Sequence, residues 1–125
     1  DRRGLLLYSS AGHNSPLLYR AATGMIDLLE PTGQLMGPFS DQRYGVESAY
    51  LHPGDVLVLY TDGVSEALDG RGVPYGDERF SEIVQRYADR SAEEICRAVI
   101  DDVQQLRRTS GESDDRTIVV VKRHP

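Results

Sequence analysis

Residues 56–61 read Val-Leu-Val-Leu-Tyr-Thr, an apolar, β-prone run with no polar alternation. Such a run is buried on both faces, so the fold must cover this strand from two sides. It ends on a carboxylate, in Asp62-Gly63. About fifty residues later Asp114-Asp115 opens a second β-prone run, Thr117-Ile118-Val119-Val120-Val121. Strand ends are stiff, and two stiff ends can hold together carboxylates that are far apart in sequence. Carboxylates held close repel one another unless a cation lies between them. Hard divalent cations such as Mg²⁺ and Mn²⁺ prefer that oxygen-rich setting. The spacing therefore raises a metal site as a hypothesis. Each half also has a plainer reading. Asp-Gly after a strand marks a hairpin turn, although Val64-Ser65-Glu66-Ala67-Leu68 does not alternate like a returning strand. Asp114-Asp115 within Ser-Gly-Glu-Ser-Asp-Asp also reads as a solvated acidic loop.

Around these runs the pattern predicts an α+β chain. Residues 5–10 read as a strand, 11–14 as a turn and 16–19 as the returning strand of a hairpin. Residues 25–29 and 46–51 read as further strands. The Gly- and Pro-rich stretch 31–43 has no period and reads as loop. Pro53-Gly54 supplies a tight turn before the central run: proline presets φ at the second position and glycine accepts φ > 0 at the third. Asp55 is expected to cap it. Residues 69–76 read as an exposed loop. Phe80, Ile83, Val84, Tyr87 and Ala88 then recur on one helical face. Ser91-Ala92-Glu93-Glu94 is a capping box, and the helix it starts buries Ile95, Val99, Val103 and Leu106 and ends near Arg108. Arg107 and Arg108 suit the negative end of its dipole. Residues 109–113 read as a polar loop and 117–122 as the last strand. Strands in antiparallel-style pairs with helices grouped late give α+β.

Three stretches together resemble the metal-dependent PPM-type protein phosphatases (the protein phosphatase 2C class), and more narrowly their sporulation stage II protein E branch. They are Ala11-Gly12-His13-Asn14-Ser15-Pro16-Leu17-Leu18, the block from Leu51 to Ala67 containing Pro53-Gly54-Asp55 and Tyr60-Thr61-Asp62-Gly63, and Asp114-Asp115-Arg116-Thr117 before the valine run. They stand in the family's order, and the resemblance runs from about Gly4 to the C-terminus. It implies an antiparallel β-sandwich flanked by helices. It also implies Asp62 and Asp114 as ligands of a two-metal Mn²⁺ or Mg²⁺ site, and hydrolysis of phosphoserine or phosphothreonine esters by a metal-activated water. Gly63, Asp115 and Thr117 become supporting residues. Ser15 departs from the family's usual proline, and Met36 is a smaller departure. The family's Gly-Gly-Asp block, whose aspartate bridges both metals, has no match here. The expectation is therefore the C-terminal portion of one phosphatase domain over residues 1–125, incomplete at its N-terminal side and essentially inactive alone. A piece of a sandwich exposes core, so self-association or exchange of an element is expected too.

His13, in a Gly-His-Asn-Ser-Pro turn, is expected to bond backbone, with a general-acid role as its alternative. Glu66 faces the metals only if a helical turn begins at Gly63; otherwise it lies on a solvated helix face. Ser65 has no His/Asp relay. Cys96 sits in an amphipathic pattern beside Ile95 and Val99 and reads as a packed thiol. As the single cysteine, it excludes an internal disulfide and fits a reducing cytoplasm. A net charge of −6 with scattered arginines argues against a nucleic-acid partner. No apolar run approaches the ~20 residues of a membrane span. The resemblance points to a phosphoprotein substrate in bacterial signalling, commonly an anti-anti-sigma factor in this branch. Two other classes stay open: a pseudophosphatase that binds a partner without hydrolysis, and a small independent Mg²⁺-binding or structural domain.

Overall fold

In the computed structural model, residues 3–38, 40–107 and 115–124 are described, the side chain of Arg107 excepted. The non-alternating run becomes β5 (Val56–Tyr60), hydrogen-bonded on both edges. It lies in a four-stranded antiparallel sheet of order β3-β2-β5-β6, with β2 at Leu17–Arg20, β3 at Met25–Leu28 and β6 at Ile118–Lys122. A second sheet pairs β1 (Leu5–Tyr8) with β4 (Glu47–Tyr50). After β5 come a single helical turn, α1 (Asp62–Ser65), and the two long helices α2 (Asp77–Tyr87) and α3 (Ala92–Arg107). No helix among the described residues is long and apolar enough to cross a membrane.

Strand alternation divides β5 between two cores. Val56, Val58 and Tyr60 join Phe80, Ile83 and Val84 of α2 and Ile95, Val99 and Val103 of α3. Leu57 joins Leu18, Leu29 and Leu51, under Leu6, Tyr8 and Ala49 of the small sheet. The cover is complete on the helix side only. Leu59, Val119 and Val121 share the face of Leu57 through the register Leu57↔Val121 and Leu59↔Val119, yet they are 36%, 49% and 45% exposed.

The two helices follow their local signals. Ser91 and Glu94 make the reciprocal capping bonds, Glu94 N–H to Ser91 Oγ at 3.2 Å and Ser91 N–H to Glu94 Oε2 at 2.9 Å. The Lys122 ammonium of β6 donates to the carbonyls of Ala88 and Arg90, at 2.7 and 2.6 Å, where α2 ends. Leu106 is partly buried and Cys96 is half-buried. Arg108 and the stretch 109–113 lie outside the described residues.

The hairpin expected between residues 5–10 and 16–19 does not form. β1 pairs with β4 (Leu5↔Tyr50, Tyr8↔Glu47), whereas β2 pairs with β3 and β5. The inward side chains Leu6 and Tyr8 pack over Leu18 across the sandwich, so residues 11–16 carry the chain from one sheet to the other. Thr32 ends β1 early, its hydroxyl accepting from Ser10 N–H at 2.7 Å and donating to Ser10 O at 3.1 Å. The Pro53-Gly54 turn forms as expected, closed by Asp55 N–H to His52 O at 2.9 Å with Gly54 at φ +89°. It too joins the two sheets. Residues 70–74 are exposed and Asp69 and Gly76 half-buried, whereas Tyr75 is 4% exposed and packs into the helix-side core.

Asp55 caps the turn and does more. At 1% exposure its carboxylate accepts from His52 N–H (2.9 Å), Ala21 N–H (2.9 Å) and the Arg20 guanidinium (3.1 Å). Burial alone would raise its pKa; the two backbone donors and Arg20 outweigh it and hold the carboxyl below its ordinary value.

Candidate metal centre

β5 delivers Asp62 to the first position of α1, two residues past the last residue of the strand, with its side chain exposed. Asp62 Oδ1 accepts from Gly63 N–H at 3.1 Å. No basic group pairs with this carboxylate among the described residues, so its remaining acceptor capacity faces outward.

Gly63 is buried, and its φ is not positive. The reason for glycine is crowding. A methyl group here would overlap the Asp115 carbonyl oxygen and stand 3.2 Å from the Asp115 carbonyl carbon. The missing side chain thus lets the backbone leading into β6 lie against the turn that carries Asp62. Two hydrogen bonds fasten this approach. Thr61 N–H donates to Thr117 O at 3.1 Å, and Thr117 N–H donates to Thr61 Oγ1 at 3.0 Å. They extend the β5–β6 ladder past its last pair, Tyr60↔Ile118. Thr117 serves through its backbone, and its side chain is exposed. Asp115 is exposed beside Gly63. Asp114, the second expected ligand, lies outside the described residues. Among the described residues, no group of three His, Cys, Asp or Glu side chains converges as a metal site.

A cleft of about 290 Å³ opens at Asp62, lined by Thr61, Ala11, Gly12, His13, Asn14 and Leu35. Gly12, at φ +78°, lets this loop turn where a Cβ would press on the Leu35 backbone. His13 Nδ1 lies 3.0 Å from Asn14 O. A carbonyl only accepts, so Nδ1 carries the proton and Nε2 is left for other contacts. The expected bond to backbone is therefore present, in a ring that also lines the Asp62 cleft. Glu66 follows α1 but lines a separate cleft, with Tyr60 and Asp77 and without Asp62. There Tyr60 donates its hydroxyl to Asp77 Oδ1 at 3.3 Å. Burial, then the Asp77 charge, pushes the phenol up to about 12.

Sequence reasoning missed Thr61, Asn14 and Leu35. Thr61 had a signal, a hydroxyl directly before the aspartate at a strand end. Leu35 had none, since it enters from a loop without period.

The profile of the Stage II sporulation protein E (SpoIIE) family matches residues 1–124. The phosphoserine phosphatase RsbU of Bacillus subtilis (strain 168) is 28% identical over 116 residues, covering 93% of this chain and 34% of RsbU. The chain thus spans about a third of that relative's length. Among solved structures, the SiaA-PP2C domain of Pseudomonas aeruginosa has a TM-score of 0.79 at 23% identity, covering 97% of this chain and 47% of that one. The RsbU and RsbW domains of Rv1364c from Mycobacterium tuberculosis give a TM-score of 0.73 at 32% identity, covering 98% and 33%. The fold is therefore the expected one: α+β, with antiparallel sheets and flanking helices as in PP2C phosphatase domains.

Proposed function

Because the chain belongs to the stage II sporulation protein E family, we propose that it forms the C-terminal portion of a single PPM-type phosphatase domain and contributes Asp62 and Asp114 to a site for Mn²⁺ or Mg²⁺. The observation that carries this reading is the crowding at Gly63. The carbonyl of Asp115 occupies the space of a side chain there, so the turn bearing Asp62 meets the backbone of the residue that follows Asp114 in the sequence. The donor chemistry fits a hard cation: Asp62 is an exposed carboxylate without a basic partner among the described residues, and hard divalent ions take oxygen ligands. A bound pair of such ions would neutralise charge on a phosphoryl group and make water a competent nucleophile at neutral pH.

The chain's own residues do the rest. Thr61 and Thr117 lock the strand ends, and Gly63 sets the separation of the two carboxylate-bearing segments. Asp115 supports Asp114 from the neighbouring position, as groups behind metal ligands commonly do. The reaction is hydrolysis of a phosphoserine or phosphothreonine ester on a signalling phosphoprotein of the anti-anti-sigma type, in the cytoplasm. No cysteine or serine nucleophile enters this scheme. The site is completed by an aspartate outside this chain, so the 125 residues alone are essentially inactive. The exposed strip of Leu59, Val119 and Val121 supports the same reading, since an apolar sheet face of this kind is ordinarily covered.

The test is Mn²⁺-dependent phosphate release from a phosphoserine protein by the full-length protein, with Asp62→Asn alongside. The expected result is activity that Asp62→Asn abolishes while the fold persists. A folded full-length protein that binds its partner and releases no phosphate would establish the pseudophosphatase instead.

A further inference from the structure

We propose that the cleft beside the Asp62 site receives the polypeptide flanking the phosphorylated residue, and that its carboxylates, Glu66 and Asp77, select a substrate with Lys or Arg next to the phosphoserine or phosphothreonine. The inference rests on the hydrolase reading above and adds the chemistry of its substrate.

This cleft has a volume of about 470 Å³ and is lined by Asn14, Ser15, Leu28, Tyr60, Glu66 and Asp77, among others. Asn14 also lines the cleft of Asp62, so the two hollows share one wall. Their other link is the chain itself: Tyr60 lines one, and Thr61 and Asp62 line the other. Consecutive Cα atoms of a substrate lie ~3.8 Å apart. A phosphoserine at Asp62 therefore places its neighbours on whatever surface adjoins that aspartate, and this cleft adjoins it across Asn14.

The lining suits a long basic side chain. Leu28, 54% exposed, and Pro74 offer apolar surface for a methylene stem. The carboxylates offer the counter-charge. Asp77 is fixed by the Tyr60 hydroxyl at 3.3 Å. Glu66 is tied to the metal-site turn, its N–H donating to Asp62 O at 2.8 Å. Among the described residues neither carboxylate has a Lys, Arg or His partner, so an arriving cation meets no resident competitor. Two acidic side chains on an open surface would simply be solvated. Here the two exposed carboxylates line one open cleft, and that cleft shares Asn14 with the cleft of the proposed phosphoryl site.

The experiment uses the full-length protein with Mn²⁺ and three phosphoserine peptides that differ only at the residues flanking the phosphoserine: Arg, Gln or Glu. The value of kcat/KM is read from phosphate release at low and high salt. The Arg peptide is expected to exceed the Glu peptide about tenfold, the size of two partly shielded ion pairs, and added salt should draw the ratio toward one. Asp77→Asn keeps a hydrogen-bond partner for Tyr60 and should lower the ratio; Glu66→Lys should move it toward the Glu peptide. If Glu66→Lys does not fold, the salt titration and Asp77→Asn decide. Equal turnover of the three peptides, or a ratio that neither variant moves, overturns the inference and leaves the hydrolase reading standing. No release from any peptide overturns the hydrolase reading and the inference with it.

Discussion

Gly63→Ala is the sharpest perturbation of the proposed centre, because one methyl group tests whether Gly63 sets the distance between the carboxylate-bearing segments. In an open helix this change would be favourable by up to ~1 kcal/mol. Here α1 is a single turn, so little of that gain is available. The methyl would overlap the Asp115 carbonyl oxygen, a backbone atom. Relief requires moving residues 115–117 away from β5, and they are held by the Thr61–Thr117 pair of hydrogen bonds at 3.1 and 3.0 Å. Overpacking of this kind costs about 1–3 kcal/mol, and each hydrogen bond lost adds ~1 kcal/mol. A net destabilisation of about 2–3 kcal/mol follows, or roughly 5–10 °C in Tm for a domain of 150–250 residues. Metal binding should suffer beyond the loss of stability, since the shift separates Asp62 from the segment of Asp114. Urea unfolding of the full-length protein without metal, followed by Mn²⁺ titration calorimetry well below the variant's midpoint, keeps the two effects apart. An unfolding midpoint and a Mn²⁺ affinity both equal to wild type would show that the Asp115 carbonyl does not crowd Gly63 and that Gly63 does not set the separation of these segments.

Removing the buried turn carboxylate, Asp55→Ala, strands two backbone N–H groups and takes one of two carboxylates from Arg20; a loss of about 3–5 kcal/mol in urea unfolding is expected. Asp55 also sets a pH dependence. Its folded pKa lies below the unfolded value of 3.8, so its contribution is complete above that value and is lost as pH falls through the folded pKa; acid unfolding should lose this component in Asp55→Ala. Ser91→Ala removes one half of the capping box and should cost ~1 kcal/mol, read as a lower urea midpoint at unchanged slope. The isolated 125-residue chain should sediment as a concentration-dependent oligomer through the strip of Leu59, Val119 and Val121, and a monomer at 100 µM would count against that strip as sticky surface.

What the sequence made legible follows the range of the forces involved. α2 and α3 were readable almost to the residue, because amphipathic period and capping are written within a few positions of one another. β5 was readable because a strand with a core on each side leaves little room for polar alternation, and even its exposed Leu59 is apolar. Strand partners were not. Nothing local distinguishes Leu5-Leu6-Leu7-Tyr8 pairing with residues 47–50 from pairing with the nearer residues 16–19, and a chain reversal such as 11–16 can close a hairpin or cross a sandwich. Tyr75 was hidden likewise: its Gly- and Pro-rich surroundings announce a loop, but an aromatic side chain within reach of a core fills it. At the site, Asp62 was visible as a carboxylate on a strand end. The reason for its glycine was not, since the Asp115 backbone that excludes a side chain comes from the far end of the chain.

The position of Asp62 just past the end of β5 has a consequence for how the proposed centre tolerates change. The strand before it packs on both faces, with Val56, Val58 and Tyr60 in one core and Leu57 in the other, and is hydrogen-bonded along both edges. Such a strand cannot shift without repacking two cores, and close-packed interiors resist that strongly. The surface around the clefts is built differently. Ala11 to Asn14, Leu35, Glu66 and Pro74 come from loops and turns whose side chains are mostly exposed. Substitutions there leave the cores untouched, so the residues that would choose a substrate can vary while the carboxylate stays fixed. Under the proposed function, a carboxylate at the end of a rigid strand with an adjustable rim would let one scaffold keep a single chemistry while the residues that meet the substrate change.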